Sequence, residues 1–501
     1  MTSISLDSEM RIAPAPPGGA LIAGQWRQEP LDLPVRDPAT ELPVGTVHRC
    51  TPGDVDQAVR AAATSMQDDW PLHERVDVLR RCGDRVLAEI DVFTETIAAE
   101  GVKTIREARA EVLRCVETLH VAAGAADVLT GETLQLDASP RGGNRIGWFT
   151  REPLGVVGAI SSFNDPLNLV AHKVAPALLA GAGIVVKPSE FTPLSALHLA
   201  RVLLACGVPP ERLSVVCGGA EVGNALVAHP EVAVVSFTGG VRTAEAITRG
   251  AGVKKMLMEL GGNNATIVCA DADVDLAARK IVDGAFGVAG QNCLSVQRVY
   301  AETSVFEAVL RSVADGAAAL VVGSKYDHAT DIGPLINAAA AERVTALVDD
   351  AIAGGARLVA GGSRDGTYVA PTVLTGVPTA CAISRDEIFG PVVVIEPVSS
   401  LDEALQRAGE CEFALQAGIF TASLDSATKA ARTLTVGAVL VNETSDFRID
   451  SMPFGGFRQS GIGREGVRSA AVEMTAPRCV LMTVPSEPGR ASNSSKGLAG
   501  Q

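Results

Sequence analysis

Between Gly155 and Val268 short apolar runs alternate with longer segments whose apolar positions recur at helical spacing. Val156-Val-Gly-Ala-Ile, Gly183-Ile-Val-Val, Ser214-Val-Val and Val232-Ala-Val-Val-Ser-Phe read as buried strands, with helices predicted at Pro166 to Leu179 and Pro193 to Cys206. Such alternation implies parallel strands joined by crossover helices. A second run begins near Ala265 and reaches about Val441. It carries Val299-Tyr-Ala, Leu320-Val-Val-Gly, Gly418-Ile-Phe and Gly437-Ala-Val-Leu-Val as predicted strands, and reads as a separate α/β unit.

The flanks have other patterns. Residues 1–19 are rich in Pro, Ser and Gly and read as a loose arm. Ala20 to Val47 reads as short strands interrupted by Pro34, Pro38 and Pro43. Thr51-Pro52-Gly53-Asp54 is a helix start, followed by apolar Ala58, Ala61 and Ala62. Further helices are predicted at His73 to Ile97 and at Thr104 to Ala126, the latter with Arg106, Arg109 and Arg114 on its polar side. Gly131 to Leu154, turning at Pro140-Arg-Gly-Gly-Asn, reads as a two-stranded projection whose edges need covering. Residues 486–501 form a polar tail of disordered composition. No internal repeat of fixed period is present.

The chain's 501 residues suffice for two to four domains, and 47% apolar with 20% charged residues marks a globular protein. A net charge of −15 disfavours broad binding to nucleic acid or anionic membrane. The polar start Met1-Thr-Ser-Ile-Ser-Leu-Asp has no secretory pattern. The longest stretch without a polar side chain, Val174 to Val186, is shorter than the ~20 residues a membrane helix needs. Ten scattered cysteines form no Cys-x-x-Cys pair, and no Cys/His cluster has zinc spacing. A reduced, cytoplasmic setting and no metal are therefore expected.

Candidate chemistry concentrates in Met258-Glu259-Leu260-Gly261-Gly262 and Gly290-Gln291-Asn292-Cys293. A thiol beside a carboxylate makes a nucleophile and a base, since the thiolate attacks and the carboxylate can take a proton from water. Equally, Glu259 can be a surface acid and Cys293 a small core residue. Lys187 ends a predicted strand, and with Glu190 it can hold a ribose diol or form a surface ion pair. Ser236-Phe-Thr-Gly239-Gly240 ends a strand and opens the Val241 to Arg249 helix, so its amides can meet a pyrophosphate. The single Gly-x-Gly-x-x-Gly match, Gly461-Ile-Gly463-Arg-Glu-Gly466, follows Phe457-Arg-Gln-Ser rather than an apolar strand. It does not mark the dinucleotide loop.

Six segments occur in one order: Phe163-Asn164-Asp165-Pro166, Val186-Lys187-Pro188-Ser189-Glu190, Ser236-Phe-Thr-Gly-Gly240, Glu259-Leu-Gly-Gly, Gly290-Gln-Asn-Cys293 and Glu387-Ile-Phe389-Gly-Pro-Val. Together they resemble the aldehyde dehydrogenase superfamily from about Ala23 to about Val484. The resemblance implies an α/β fold with a Rossmann-type NAD-binding domain at 20–130 and 152–259 and a catalytic domain at 260–469. It also implies a small β flap at 131–151 and 470–485, with Cys479 to Val484 as its third strand, making homodimer or homotetramer contacts. Cys293 is then the nucleophile, Asn164 and the Cys293 amide the oxyanion donors, and Glu259 the base that hydrolyses a thioester. Lys187, Glu190, Phe163, Gly239, Gly240, Leu260, Glu387 and Phe389 would surround the cofactor. A carboxylate at Glu190 favours NAD over NADP by repelling a 2′-phosphate.

Asn442-Glu-Thr-Ser-Asp446-Phe-Arg448-Ile-Asp450 and Phe163 to Lys173 resemble the lactaldehyde and phosphonoacetaldehyde dehydrogenase branch, which implies a small polar, anionic aldehyde as substrate. Arg448 can grip the anionic head or pair internally with Asp446 or Asp450. Arg114 can line the substrate tunnel or lie on a solvated helix face, and His172 can line the tunnel or pack. Asp165 and Asn292 depart from common family residues and imply a small polar pocket. Two other readings stay open: transfer of the acyl group to coenzyme A, and a non-catalytic protein on the same scaffold.

Overall fold

The structure is a computed structural model describing residues 19–27, 29–30 and 32–485; the arm expected at 1–19, Gly19 apart, and the tail expected at 486–501 lie outside these residues. Its first sheet has eight strands. The parallel centre runs Leu213–Val215, Ile184–Lys187, Val156–Ile160, Val232–Thr238 and Lys255–Glu259. Ala20–Ile22 and Gln25–Arg27 close one edge antiparallel, and Gly461–Ile462 closes the other against Met258 and Glu259. Ile184–Lys187 and Leu213–Val215 are buried throughout, which explains their unbroken apolar character. The chain moves outward from Val156–Ile160 through two strands, then returns to lay Val232–Thr238 on its other side. Reversals of this kind splay the loops at the strands' carboxyl ends and open a crevice there.

The second sheet has seven strands, ordered Arg357–Ala360, Thr372–Thr375, Val392–Val398, Val296–Glu302, Asn264–Val268, Gln416–Phe420 and Ala438–Val441. Only Arg357–Ala360 runs antiparallel to its neighbour. The predicted strand Leu320-Val-Val-Gly is absent from it. Leu320 caps the helix Thr303–Ala319, and Val322 makes only an isolated bridge to Ile332. An apolar run was legible there, but Val321 and Val322 stay exposed.

Helix starts follow their capping residues. Thr51 caps Pro52–Ser65 and Thr104 caps Ile105–Ala123, each in a reciprocal box with Asp54 or Glu107. The helix predicted at His73 to Ile97 is two, Leu72–Ala88 and Ile90–Glu100. They part at Glu89 (φ −105°, ψ 23°), whose carboxylate takes Arg85 and Arg201. Apolar spacing continues across that joint, so periodicity could not reveal it.

Thr475–Thr483 pairs antiparallel with Arg145–Pro153 along its whole length, and Glu132–Leu134 adds a third strand. This small sheet exposes Ile146, Leu481 and Met482, and Val484 just past its last strand is exposed too. Among the described residues no helix is long and apolar enough to cross a membrane.

Candidate active site

A cavity of about 570 Å³ opens at the crevice and is lined from both large sheets, with Asn164, Gly239, Glu259, Cys293, Glu387 and Arg448 on its wall. Cys293 reaches it from a strained turn. Val288 and Ala289 have φ of 54° and 52°, a left-handed backbone costing about 1–2 kcal/mol per L-residue. The turn is pinned from outside. The Val288 N–H donates to Glu107 Oε1 (2.7 Å), while the Gln291 amide donates to the Val288 and Pro334 carbonyls and accepts from the Ile336 N–H. Gly290 has φ 67°, and a methyl there would overlap the Gly390 carbonyl and lie 2.8 Å from the Pro391 nitrogen. The Asn264 amide fixes the Cys293 carbonyl at 2.8 Å. Burial raises the Cys293 thiol above its ordinary pKa and Glu387 pushes the same way, while Arg448 opposes them.

Asn164 follows the strand Val156–Ile160. Its Oδ1 accepts from the Ser162 hydroxyl at 2.6 Å, which leaves the amide N–H₂ to serve as a donor. Glu259 ends the strand Lys255–Glu259, and its buried Oε2 has no hydrogen-bond partner. Burial raises the Glu259 carboxyl well above the usual carboxylate range; Glu465 raises it further, and Arg448 and Lys173 lower it. Those two cations bond Glu465, Arg448 Nη2 at 3.1 Å and Lys173 Nζ at 3.4 Å.

The residues expected to surround a dinucleotide split into two groups. Gly240 caps the helix Val241–Ala251 with no side-chain cap, and a Cβ there would meet nothing within 4 Å, so the helix amides are open to an anion. Leu260 lines the cavity. Glu387 accepts from the Gly262 N–H at 3.1 Å, and burial raises its carboxyl to about 7. Phe389, itself at φ 47°, stands edge-on to Phe163 with ring centres 5.8 Å apart. Lys187 and Glu190 lie off this cavity wall. Lys187 is buried at its strand end, where burial lowers its pKa, and Nζ donates to the Pro188 carbonyl (3.3 Å) rather than pairing with the exposed Glu190. The surface ion pair that the sequence allowed is not formed.

On the substrate side, Arg448 is paired internally, but with Glu465 and not with Asp446 or Asp450; it stacks over Phe454, 3.9 Å from the ring centre. Arg114 is not on a solvated face. It lines the cavity, bonded to Asp165 (3.4 Å) and Asp450 (3.2 Å), with about a third of its side chain exposed. His172 does not line the cavity wall. It is buried against Asp450 at 2.8 Å, and burial with Arg448 lowers its pKa. Asp165 also takes Lys103, and Asn292 Nδ2 bonds Asp446, so both departures from common residues are built into polar contacts.

Sequence reading missed Glu465, Lys173, Lys103 and Glu111, the last a buried cavity-lining acid that holds Lys103 at 2.7 Å and accepts from the Leu167 and Asn168 N–H groups. Glu465 sits inside the Gly461 to Gly466 stretch set aside as no dinucleotide loop. Lys173 was marked only by its place in a helix, Asn168–Ala180, that is buried at every position. A lysine there requires a buried partner.

Comparison with known proteins adds to this geometry. Residues 26–480 match the profile of the aldehyde dehydrogenase family. Aspartate-semialdehyde dehydrogenase 1 of Pseudomonas canavaninivorans is 45% identical over 414 residues, 83% of this chain and 88% of that protein. The 3-sulfolactaldehyde dehydrogenase of Priestia aryabhattai is 40% identical over 467 residues, 93% of this chain and 98% of that protein. The NADP-dependent glyceraldehyde-3-phosphate dehydrogenase from Bacillus halodurans C-125, complexed with NADP, superposes with TM-score 0.90 at 34% identity, covering 93% of this chain and 99% of that one.

Proposed function

The chain belongs to the aldehyde dehydrogenase family and is an aldehyde-oxidising enzyme with that family's fold, and we propose that it converts a small, polar, anionic aldehyde to the free carboxylic acid with NAD. The observation that carries this reading is one cavity holding a thiol, a free amide donor and a carboxylate with an unpartnered oxygen. Cys293 Sγ attacks the aldehyde carbon and gives up its proton, forming a thiohemiacetal. The Asn164 N–H₂ and the Cys293 backbone N–H stabilise its oxyanion, a contribution of ~10²–10³ in rate per donor. Glu259 then takes a proton from the water that attacks the Cys293 thioester, and the thiol is released with the acid.

A nicotinamide dinucleotide fits the residues present: open amides at Gly240 and the start of the helix Val241–Ala251, the buried Glu387 carboxylate, and the Phe163 and Phe389 rings. When bound, it supplies the hydride acceptor between the two halves of the reaction. Glu190, exposed at a strand end, accepts hydrogen bonds from ribose hydroxyls and repels a 2′-phosphate, which favours NAD. The Bacillus halodurans structure holds NADP, so the ratio of kcat/KM for the two cofactors is the direct measurement.

The aldehydes for which these relatives are named share a feature: aspartate semialdehyde, sulfolactaldehyde and glyceraldehyde 3-phosphate each carry an anionic group on a short chain. Arg114, partly exposed in the cavity, suits such a group. A free Glu259 oxygen favours hydrolysis over coenzyme A acylation, and adding coenzyme A distinguishes them by acid against thioester. The exposed apolar strip at Ile146, Leu481 and Met482 supports a homo-oligomer. Ten free cysteines support a reducing, cytoplasmic setting. The test is NADH formation across small anionic and neutral aldehydes: Cys293→Ala should abolish it while cofactor still binds, and normal turnover by that variant would end the proposal.

A further inference from the structure

Away from the cavity, His48, Cys50 and Asp54 bring one nitrogen, one sulfur and one carboxylate oxygen within 4.8 Å of one another. Among the described residues this is the one place where three such ligand atoms converge. The sequence reading did not find it because His-x-Cys-x-x-x-Asp matches no common zinc spacing. His48 and Cys50 lie between the strand Pro43–Val47 and the helix Pro52–Ser65, and Asp54 lies in that helix's first turn.

Each group is already oriented. His48 Nδ1 is 3.0 Å from the Pro30 carbonyl, which can only accept, so Nδ1 carries the proton. In the neutral ring Nε2 then holds the lone pair. It faces Asp54 Oδ2 at 3.8 Å, beyond hydrogen-bond length, although His48 is only 8% exposed. Asp54 Oδ2 is held from behind by the Thr51 N–H and hydroxyl, both at 2.8 Å. Cys50 is 4% exposed, and its thiol makes one long contact, 4.0 Å to the His48 carbonyl. Three Lewis bases thus lie side by side, and two are fixed from outside by the type of contact that orients ligands in metal sites.

We propose that His48, Cys50 and Asp54 form a structural site for a borderline-soft divalent transition metal, Zn²⁺ by class, completed by water. A nitrogen, sulfur and oxygen set suits Zn²⁺ and excludes Mg²⁺ and Ca²⁺, which want oxygen alone. Ligand atoms around tetrahedral Zn²⁺ stand roughly 3.3–3.8 Å apart given bonds of ~2.0–2.3 Å. The gap closes by small side-chain movements. Binding replaces the S–H bond by an S–metal bond and releases the proton to solvent, with no redox change. The ion would tie the strand exit to the helix start and, through the Cys50 N–H to Cys217 carbonyl bond (2.8 Å), to the loop after Leu213–Val215.

The full chain, stripped by chelator, would be titrated with Co²⁺ and then Zn²⁺. The expected result is one equivalent of Co²⁺ showing thiolate-to-cobalt charge-transfer absorption, displaced by Zn²⁺, with a Zn²⁺-dependent rise in the thermal midpoint. Cys50→Ser should lose the charge-transfer band and the thermal shift, whereas Cys293→Ser keeps both. Asp54→Asn, which retains most of the helix cap, should weaken Co²⁺ binding roughly ten-fold or more. Aldehyde turnover by Cys50→Ser shows that it folds. A band that survives in folded Cys50→Ser, that vanishes in Cys293→Ser, or that never forms in excess Co²⁺ overturns the assignment.

Discussion

Gly290→Ala tests whether the turn ahead of Cys293 sets the position of the reacting sulfur. Gly290 holds φ 67°, and its Cβ position overlaps the Gly390 carbonyl. The left-handed backbone costs an L-residue about 1–2 kcal/mol. Forcing a methyl into a packed contact adds about 1–3 kcal/mol. The substitution should therefore destabilise by roughly 2–5 kcal/mol, and the turn must move by about an ångström to make room. A displacement of ~1 Å at reacting groups can cost ~10²-fold in rate. Gly287→Ala is the internal control: it lies in the same turn at φ −53°, and its Cβ position meets nothing within 4 Å. That change should stay within about 0.5 kcal/mol and keep normal turnover. Thermal midpoints and single-turnover NADH formation at saturating aldehyde measure both effects. If Gly290→Ala matches the parent in rate and midpoint, or if Gly287→Ala is equally damaged, the turn does not position the sulfur.

Other outcomes follow from the same site. Glu259→Gln should release about one equivalent of NADH per active site and then stall, because acylation precedes the step needing the base; rapid-mixing absorbance reads the burst, and unimpaired steady turnover contradicts the role. Arg114→Gln should raise KM for anionic aldehydes by ~10-fold or more with a smaller effect on neutral ones, as charge-assisted hydrogen bonds are worth ~1.5–3 kcal/mol; equal effects on both kinds dismiss the grip. In pH profiles of kcat, the acidic limb tracks ionisation of Glu259, whose carboxyl is raised by burial and lowered by Arg448 and Lys173. Lys173→Met removes one lowering charge, so the limb should move to higher pH; a shift to lower pH refutes the electrostatic account.

The two α/β units could be read from alternation because their central strands are buried on both faces and carry unbroken apolar runs. Strand order could not, since hydrogen bonds between Val156–Ile160 and Val232–Thr238 leave no mark on either segment. That Cys293, Glu259 and Asn164 share one cavity wall agrees with the motifs that singled them out, whose glycines have local reasons, as at Gly290. The side chains around them were not legible. Glu465 reaches Lys173 across the fold as well as Arg448, and the Arg114, Asp165 and Asp450 cluster joins three distant segments. Such contacts come from tertiary packing, so the sequence offered Asp446 and Asp450, the nearer acids, as partners for Arg448. The dense pairing was foreshadowed only by charged residues at positions whose neighbours are apolar.

The pairing also bears on the proposed role of Glu259 as a base. A direct ion pair from Lys173 or Arg448 to Glu259 would stabilise its charge and lower its affinity for a proton. Here Glu465 takes both cations by hydrogen bond, and Glu259 feels them only through space. Those cations limit the rise that burial and the Glu465 charge impose, yet leave Oε2 without a donor. An oxygen in that condition can accept from a water molecule, which is the bond hydrolysis of a Cys293 thioester requires. Glu465 is held low, to about 2, by the charges it gathers, so it stays ionised while Glu259 takes up the proton. Two carboxyls in one cavity are driven apart in basicity by which of them holds the cations, and that separation fits one for structure and the other for proton transfer.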